Sequence, residues 1–323
     1  MVTAAPKTAF PVKTLILAAL CAPCLFPAAH ARATSSGTAN GAPVASTETP
    51  DRAAAEKGDA NAQFKLGLAY ATGKGVTQND AQAASWFRKA ADQGLAGAQF
   101  DLGLMYQNGQ GVPQDNKQAV AWFSKAADQG LAAAQVNLGL MYQYGQGVSQ
   151  DNKQAVAWFG KAADQGDADI QDKLGNMYHD GQDMDKDDAQ AALWFRKAAE
   201  QGNIDAQDKL GAMYHEGQGV AQDYQQAASW FSKAAGQGDA YAQNYLGIMY
   251  QNGEGVAQDG VQAVFWYRKA ADQGFSPAQY NLGMVYQYGR AGVAKDNTQA
   301  ASWYRKAADQ GDDDAKKALD SLN

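Results

Sequence analysis

The chain has 323 residues, of which 46% are hydrophobic and 19% are charged, and its formal net charge is −7. This length predicts either two or three ordinary domains or one extended repeat array. The sequence contains no block rich in lysine and arginine. Because sequence-independent nucleic-acid binding depends on basic residues that neutralise phosphates, this composition excludes that class of function.

The N-terminal residues 1–31 have the pattern of a secretory signal peptide. Lys7 and Lys13 precede the apolar stretch Thr14–Phe26, and Ala29–Ala31 fits a small-x-small cleavage site. The apolar stretch is too short to span a bilayer, so an uncleaved anchor is the weaker alternative. We therefore expect a periplasmic or secreted protein with no transmembrane span after signal removal.

Both cysteines, Cys21 and Cys24, lie in this segment. Their Cys-x-x-Cys spacing also occurs in redox motifs, but cleavage would remove the pair and leave a mature chain without disulfides. Cleavage would also make the net charge −9. Residues 32–50 are rich in Ser, Thr, Ala, Gly and Pro without apolar periodicity, which predicts a flexible linker.

The rest of the sequence repeats with a period of 36 residues. A Leu-Gly pair recurs seven times at this interval, beginning at Leu66-Gly67. All seven tryptophans occupy one repeat position: Trp86, Trp122, Trp158, Trp194, Trp230, Trp266 and Trp303. The last interval between tryptophans is 37, because the segment "YGRAGV" is one residue longer than "YGQGV". A period of this length indicates a repeat architecture.

One repeat, Leu95–Gly130, predicts a helix hairpin with about 13 residues in each helix. The first helix places an apolar face at helical spacing and ends at Gly109, where the chain must turn left-handed. Asp115 stands at the N-cap position of the second helix. Gly103 would let the two helix backbones approach closely. A phosphate-binding role for the Gly-x-Gly is rejected, since such a motif follows a strand and opens a helix.

The repeat pattern is Ala-x-x-x-Leu-Gly-x-x-Tyr, then Gly-x-Gly-Val-x-x-Asp, then Ala-x-x-Trp-[Phe/Tyr]-x-Lys-Ala-Ala-x-x-Gly. It resembles the SEL-like repeat (SLR) family, a 36-residue relative of the tetratricopeptide repeat, over residues 59–311. The resemblance implies an all-α fold, a right-handed α-solenoid (superhelix) of seven helix-turn-helix repeats. Residues 51–58 and 312–323 would form capping half-repeats, since solenoid ends need polar caps.

The resemblance also implies a protein–protein interaction scaffold or adaptor whose first helices line a concave groove. Residues that differ between repeats at those positions are then candidates for partner binding. The groove would be acidic in the middle and apolar or aromatic at both ends, which favours a partner with a basic segment. The candidate residues are Phe100, Leu104, Tyr144, Asp172, His179, Asp208, His215, Tyr241, Tyr280 and Tyr288.

Two features of the middle repeats allow further hypotheses. His179 and His215 are the two histidines outside the predicted signal peptide of residues 1–31, the leader. Together with neighbouring carboxylates they could act as metal ligands. Equivalent points on stacked hairpins are about 8–10 Å apart, too far for one ion, so we predict no metal or cofactor. The fourth repeat has Asp183 in place of the second loop glycine and Ile170 in place of alanine. An irregularity is therefore expected over 181–188.

The alternative functions are a cell-wall-directed hydrolase and a binder of peptidoglycan or carbohydrate, related to cysteine-rich secreted proteins. The chain after residue 31 has no cysteine nucleophile, and its serines lie in no nucleophile elbow or Ser-x-x-Lys box. We therefore predict that the protein is not an enzyme. A carbohydrate binder would use Tyr241, Tyr280 and Tyr288 as its aromatic contacts.

Overall fold

The computed structural model describes residues 50–181, 185–290 and 292–322, and within these ranges every regular element is an α-helix. The predicted signal peptide and nearly all of the predicted linker lie outside the described residues. The described chain forms two compact units, residues 50–114 and 115–322. The first unit contains α1 (Pro50–Glu56), α2 (Ala60–Thr72), α3 (Asp80–Asp92) and α4 (Ala96–Asn108).

The second unit contains twelve helices among its described residues. They are α5 (Asn116–Asp128), α6 (Ala132–Tyr144), α7 (Asn152–Ala163), α8 (Ala168–Asp180), α9 (Asp188–Glu200), α10 (Ile204–Glu216), α11 (Tyr224–Gly236), α12 (Ala240–Asn252), α13 (Gly260–Asp272), α14 (Ser276–Tyr288), α15 (Asn297–Ala308) and α16 (Asp313–Asp320). Consecutive helices pack as repeated pairs in each unit. The predicted all-α repeat fold of the α-solenoid class is confirmed.

The ends of the helices follow the predicted capping chemistry. Asp115 accepts hydrogen bonds from the backbone N–H groups of Lys117 and Gln118 at 2.9 and 3.1 Å, which satisfies two donors that the first turn of α5 leaves free. Gly109 follows α4 with φ of 70° and donates its N–H to the carbonyl of Met105. A residue with a Cβ is strained in that conformation, so glycine is required there.

The glycine inside the first helix faces an aromatic ring of the second helix at Gly67, Gly139, Gly175, Gly211, Gly247 and Gly283. A Cβ added at Gly67 would lie 2.6 Å from Cδ1 of Phe87, and one at Gly211 would lie 3.0 Å from Cδ1 of Phe231. At Gly67 and Gly211 a ring of the second helix therefore fills the space beside the glycine. The close approach of backbones expected at Gly103 stays a prediction. The ring position is fully buried in every repeat: Phe87, Phe123, Phe159, Phe195, Phe231, Tyr267 and Tyr304.

The tryptophans precede these rings by one residue and pack less deeply. Trp122, Trp194, Trp230 and Trp303 are buried, whereas Trp86, Trp158 and Trp266 are half-buried. A lysine three residues later covers the outer face of each indole. Nζ of Lys233 lies 3.6 Å from the ring centroid of Trp230, and the equivalent distance is similar in five further repeats. This geometry is a cation–π contact on a partly hydrated ring.

The second glycine of the loop lies against the preceding repeat. A Cβ at Gly219 would lie 2.1 Å from the carbonyl oxygen of Asp188, a backbone atom that opens α9. Gly255 makes the same approach to the carbonyl oxygen of Tyr224. In these repeats the Gly-x-Gly is therefore a turn followed by a close contact between repeats, whereas a Cβ at Gly292 in the last loop would meet no atom within 4 Å.

In the fourth repeat this position is Asp183, and the predicted irregularity falls largely on residues 182–184, which lie outside the described residues. Immediately after them, the N–H of Asp187 donates to the carbonyl of Tyr178 at 2.9 Å. In the next repeat, Asp223 donates to Tyr214 at the same distance. The chain is thus in the common register again by Asp187. Ile170, which replaces the repeat alanine, is buried.

A ladder of buried glutamines connects successive repeats. The side-chain amide of Gln207 donates to the carbonyl of Ala199 at 3.0 Å, and its Oε1 accepts from Nε2 of Gln237 at 2.9 Å. These two bonds satisfy a polar side chain that would be costly to bury alone. The same pair of bonds recurs at Gln63, Gln135, Gln171, Gln243 and Gln279.

The substitution Trp194→Ala should lower the free energy of unfolding by about 3–5 kcal/mol, because it truncates a buried aromatic side chain. Trp194 packs with Phe159 and Leu174 in one apolar cluster. Since each repeat touches only its neighbours, the loss should be local. Hydrogen exchange should show reduced protection in α7 to α9 and unchanged protection in α14 and α15.

Leu193→Ala is the matched control, because Leu193 is the adjacent residue and is 46% exposed. This substitution should change the urea midpoint only slightly, by an amount equivalent to about 0.5 kcal/mol or less. Equal effects of the two substitutions would show that the tryptophan is not part of the core.

Candidate partner-binding surface

We call the candidate partner-binding residues on the first helices the first-helix surface. They are Phe100, Leu104, Tyr144, Asp172, His179, Asp208, His215, Tyr241, Tyr280 and Tyr288. In residues 50–114 it includes Phe100 and Leu104, both on α4. Phe100 is only 3% exposed, so its ring is enclosed in the packing, and its prediction as an accessible contact for a partner is wrong. Leu104 is half-buried. Position within a repeat therefore does not by itself make a side chain available to a partner.

Two tyrosines of this surface are well exposed in residues 115–322. Tyr144 is the last residue of α6 and is 63% exposed, and Tyr288 is the last residue of α14 and is 55% exposed. The guanidinium carbon of Arg290 lies 4.9 Å from the ring centroid of Tyr288. Exposed aromatic rings of this kind are the usual anchors of protein interfaces.

Tyr241 and Tyr280 are half-buried and pack against other rings. The ring centroid of Tyr241 is 4.6 Å from that of Tyr245 and 6.4 Å from that of Phe275. The ring of Tyr280 lies 5.6 Å from that of Tyr304. Burial raises the pKa of both Tyr241 and Tyr280, so both phenols stay neutral. Each offers only part of its ring to a partner.

The two histidines contact different carboxylates. Nδ1 of His179 lies 2.8 Å from Oδ1 of Asp188, within its own repeat. Nε2 of His215 lies 3.2 Å from Oε2 of Glu254, in the next repeat. The structure therefore gives the two histidines separate carboxylate partners. No group of three or more His, Cys, Asp or Glu side chains in the described ranges is arranged to hold a metal ion.

Asp172 forms an ion pair with the following repeat. Nζ of Lys209 lies 2.8 Å from Oδ1 and 3.0 Å from Oδ2 of Asp172, and Asn176 donates to Oδ2 at 2.8 Å. Burial raises the pKa of Asp172, while Lys209 opposes this rise. The sixth and seventh repeats contain an equivalent pair. Asn244 stands at the repeat position of Asp172 and Asn281 at that of Lys209, and Asn281 donates to Oδ1 of Asn244 at 2.9 Å. We call such a pair of positions, 37 residues apart, a polar rung.

Asp208 occupies the same repeat position as Asp172, but the next repeat places Tyr245 at the position of Lys209. Asp208 is 8% exposed, and its Oδ1 has no hydrogen-bond partner within the described residues. Burial raises the pKa of Asp208 to about 9, helped by a hydrogen bond to Asp239 and by the negative charges of Asp239 and Asp205. At neutral pH this carboxyl is therefore protonated.

Asp101 has a related environment in residues 50–114. It is buried and occupies the repeat position of Lys209. The residue 37 positions earlier, which would complete a polar rung, is Phe64. Burial raises the pKa of Asp101 to about 7. The two carboxyls thus share a cause, desolvation, but they ionise at different pH values.

Sequence reasoning missed Lys209, Tyr245 and Asp239 as members of this surface. Lys209 and Tyr245 lie one position beyond the variable set, and Asp239 is the N-cap of α12, where it accepts from the N–H of Ala242 at 2.8 Å. A comparison of residues 37 apart, instead of 36, would have found the rungs.

The repeats match a known sequence family. The profile of the Sel1 repeat matches residues 60–95, 96–131, 132–167, 169–203, 204–239, 240–275 and 276–312. The chain belongs to the Sel1 repeat family. Sel1 repeat proteins are generally protein-interaction scaffolds and are typically not enzymes.

Several solved structures resemble this Sel1 repeat protein, including these two. One is a protective antigen present in uropathogenic Escherichia coli strains and displaying an SLR fold, with 44% identity and a TM-score of 0.73. The match covers 84% of this chain and 58% of the E. coli protein, so the chain spans little more than half of that relative. The other is a Sel1 repeat protein from Oxalobacter formigenes, with 38% identity, a TM-score of 0.58, and coverage of 84% and 79%.

A comparison with curated proteins found no match. Among the described residues, no helix has the length and apolar character needed to cross a membrane.

The substitution Asp208→Asn should stabilise the protein increasingly as the pH rises from 5 to 9. In the unfolded chain Asp208 ionises near pH 4, but in the folded protein it keeps its proton until about pH 9. Over this range the unfolded state binds fewer protons, so the wild type loses up to about 1.4 kcal/mol per pH unit through this group. Urea unfolding of both proteins at each pH measures the difference.

Asp101→Asn provides the matched control. Its advantage over the wild type should grow in the same direction but stop growing above about pH 7, where the folded carboxyl ionises. Stability profiles that run parallel to the wild type for both variants would contradict the assigned protonation states.

Proposed function

We propose that this Sel1 repeat protein is an interaction scaffold of the cell envelope or the secreted space. It binds a segment of another protein along the first helices of residues 115–322. The observation that carries this proposal is the contrast between a nearly constant scaffold of Leu, Gly and buried rings and a first-helix surface that differs in each repeat. A solenoid that binds one partner needs such differences, while its packing needs none.

The chemistry of the surface indicates the kind of partner. Tyr144 and Tyr288 supply exposed rings, and acidic side chains are concentrated on α8 and α10 between them. The net charge, −9 after removal of residues 1–31, adds a long-range attraction for basic segments. A partner segment with lysine or arginine flanked by apolar residues fits this order of side chains.

The proposed location rests on the leader of residues 1–31 and on the E. coli relative. That relative is a protective antigen, a description that supports exposure outside the cytoplasm. Without cysteines after residue 31, the protein would depend on packing alone in an oxidising compartment.

Site-specific photo-crosslinking in the native cells tests the binding surface. A benzoylphenylalanine at position 144 or 288 should form a covalent adduct with the partner, because these rings lie on the first-helix surface. The adduct should diminish when extracts are irradiated at about 0.5 M salt, since exposed charges more than about 5 Å apart are then screened. Adduct formation is read as a band shift, and the partner is identified by mass spectrometry.

The matched control places the same group at Val261 or Phe265, which are exposed on the second helix α13. These positions should give no adduct with that partner. Equal adducts from α13 and from the first helices would contradict binding along the first-helix surface.

The leader is tested by cell fractionation. The full chain should appear in the periplasm or medium with Arg32 as its first residue, and a chain lacking residues 2–31 should stay in the cytoplasm. N-terminal mass spectrometry of each fraction measures the outcome. A full-length chain retained in the cytoplasm would overturn the proposed location.

A further inference from the structure

We propose that the fifth and sixth repeats contain a site for one basic side chain of the partner, preferably an arginine guanidinium, held by Asp205, Asp208 and Asp239 beside Tyr241. This inference rests on the proposed function, because it assigns an anchoring point to the bound segment. The proposed site differs from a non-specific attraction by surface carboxylates, because it depends on one buried carboxyl oxygen, Oδ1 of Asp208.

The central observation is one oxygen of Asp208, Oδ1, in a carboxyl group that otherwise hydrogen-bonds to Asp239. Its residue is 92% buried, and its Oδ1 has no hydrogen-bond partner in the described part of the chain. A buried polar atom without a hydrogen-bond partner is unfavourable, because it has lost its hydration and has gained no bond in return. A ligand that donates to this oxygen would supply that bond.

The preceding repeat shows what such a ligand would do. Asp172 occupies the same position on α8 and receives the ammonium group of Lys209 at 2.8 and 3.0 Å. The sixth repeat places Tyr245 where the fifth places Lys209. Asp208 therefore lacks the cation that its equivalent has, and a basic side chain from outside would complete the rung.

The groups around Asp208 favour a cation. Asp205 lies one turn earlier on α10 and is exposed, so it marks the open side of the site. Asp239 is fixed as the N-cap of α12 by the N–H of Ala242. Lys209 is the basic residue whose charge acts on Asp208, and its ammonium group is already bound to Asp172.

Aromatic rings line the same place. Tyr241 and Tyr245 lie with their ring centroids 4.6 Å apart, and the phenol of Tyr241 senses the charges of Asp208 and Glu216. A guanidinium is planar, donates from several N–H groups, and stacks on aromatic rings, so it fits carboxyls beside tyrosines better than an ammonium does.

Methylguanidinium chloride is the probe, and neutral methylurea of the same shape is its control. Isothermal titration should detect methylguanidinium and not methylurea. Binding requires ionised Asp208, whose pKa is about 9 in the free protein, so the affinity should rise about tenfold per unit between pH 7 and pH 9. Titration at pH 7 in two buffers of different ionisation enthalpy should show the release of about one proton.

The variants separate this site from general electrostatics. Asp208→Asn should abolish the pH-dependent binding, and Asp205→Asn, at an exposed position that does not endanger folding, should weaken it about fivefold by removing one nearby charge. Asp128→Asn, on the exposed end of α5, should leave the affinity unchanged. Circular dichroism confirms that each variant is folded.

Absence of methylguanidinium binding, or equal binding by the wild type and both site variants, would overturn the inference. An Asp208-dependent signal from calcium chloride without one from methylguanidinium would also overturn it. Neither result touches the proposed scaffold function, because the adducts from positions 144 and 288 report partner binding independently of this site.

Discussion

Within each of the two units, the helix pairs depend on the contact between a glycine of the first helix and a ring of the second. Glycine inside a helix costs about 1 kcal/mol relative to alanine, yet a Cβ at Gly175 would lie 2.6 Å from ring atoms of Phe195. Any side chain there would push the buried ring out of the pair. Tyrosine replaces phenylalanine at Tyr304 without loss, because its hydroxyl reaches past the glycine and donates to Oε1 of Gln287 at 2.7 Å.

The features that sequence reasoning predicted are those with a local cause. The turn at Gly109 and the cap at Asp115 depend on residues within a few positions along the chain. Packing depth is different, since it depends on how far neighbouring helices cover a side chain. Periodicity places Phe100 on the first helix but does not show that its ring is enclosed. Likewise, equal repeat positions predict equal environments for His179 and His215, whereas their carboxylate partners belong to different elements.

Some of the acidic side chains of the middle repeats are paired with basic side chains of the protein itself. Lys209 neutralises Asp172, and His179 and Lys186 both contact the carboxylate of Asp188. A count of acidic residues therefore overstates the charge that a partner would meet. The surroundings of Asp208 differ, because a change of one residue in the following repeat, to Tyr245, removes the internal cation. A single substitution between otherwise similar repeats can thus convert a structural pair into an open position.

The glutamine ladder has a consequence for how such a chain can change in evolution. Each glutamine of the ladder described above takes its acceptor from the carbonyl eight residues earlier and receives its donor from about thirty residues later, as Gln207 does with Ala199 and Gln237. Gain or loss of one whole period, wherever the breakpoints fall, regenerates both distances. Gln310 reaches Gln279 across 31 residues, so an extra loop residue is also tolerated. Unequal recombination can therefore lengthen or shorten this protein without leaving a buried amide unpaired at the new junction.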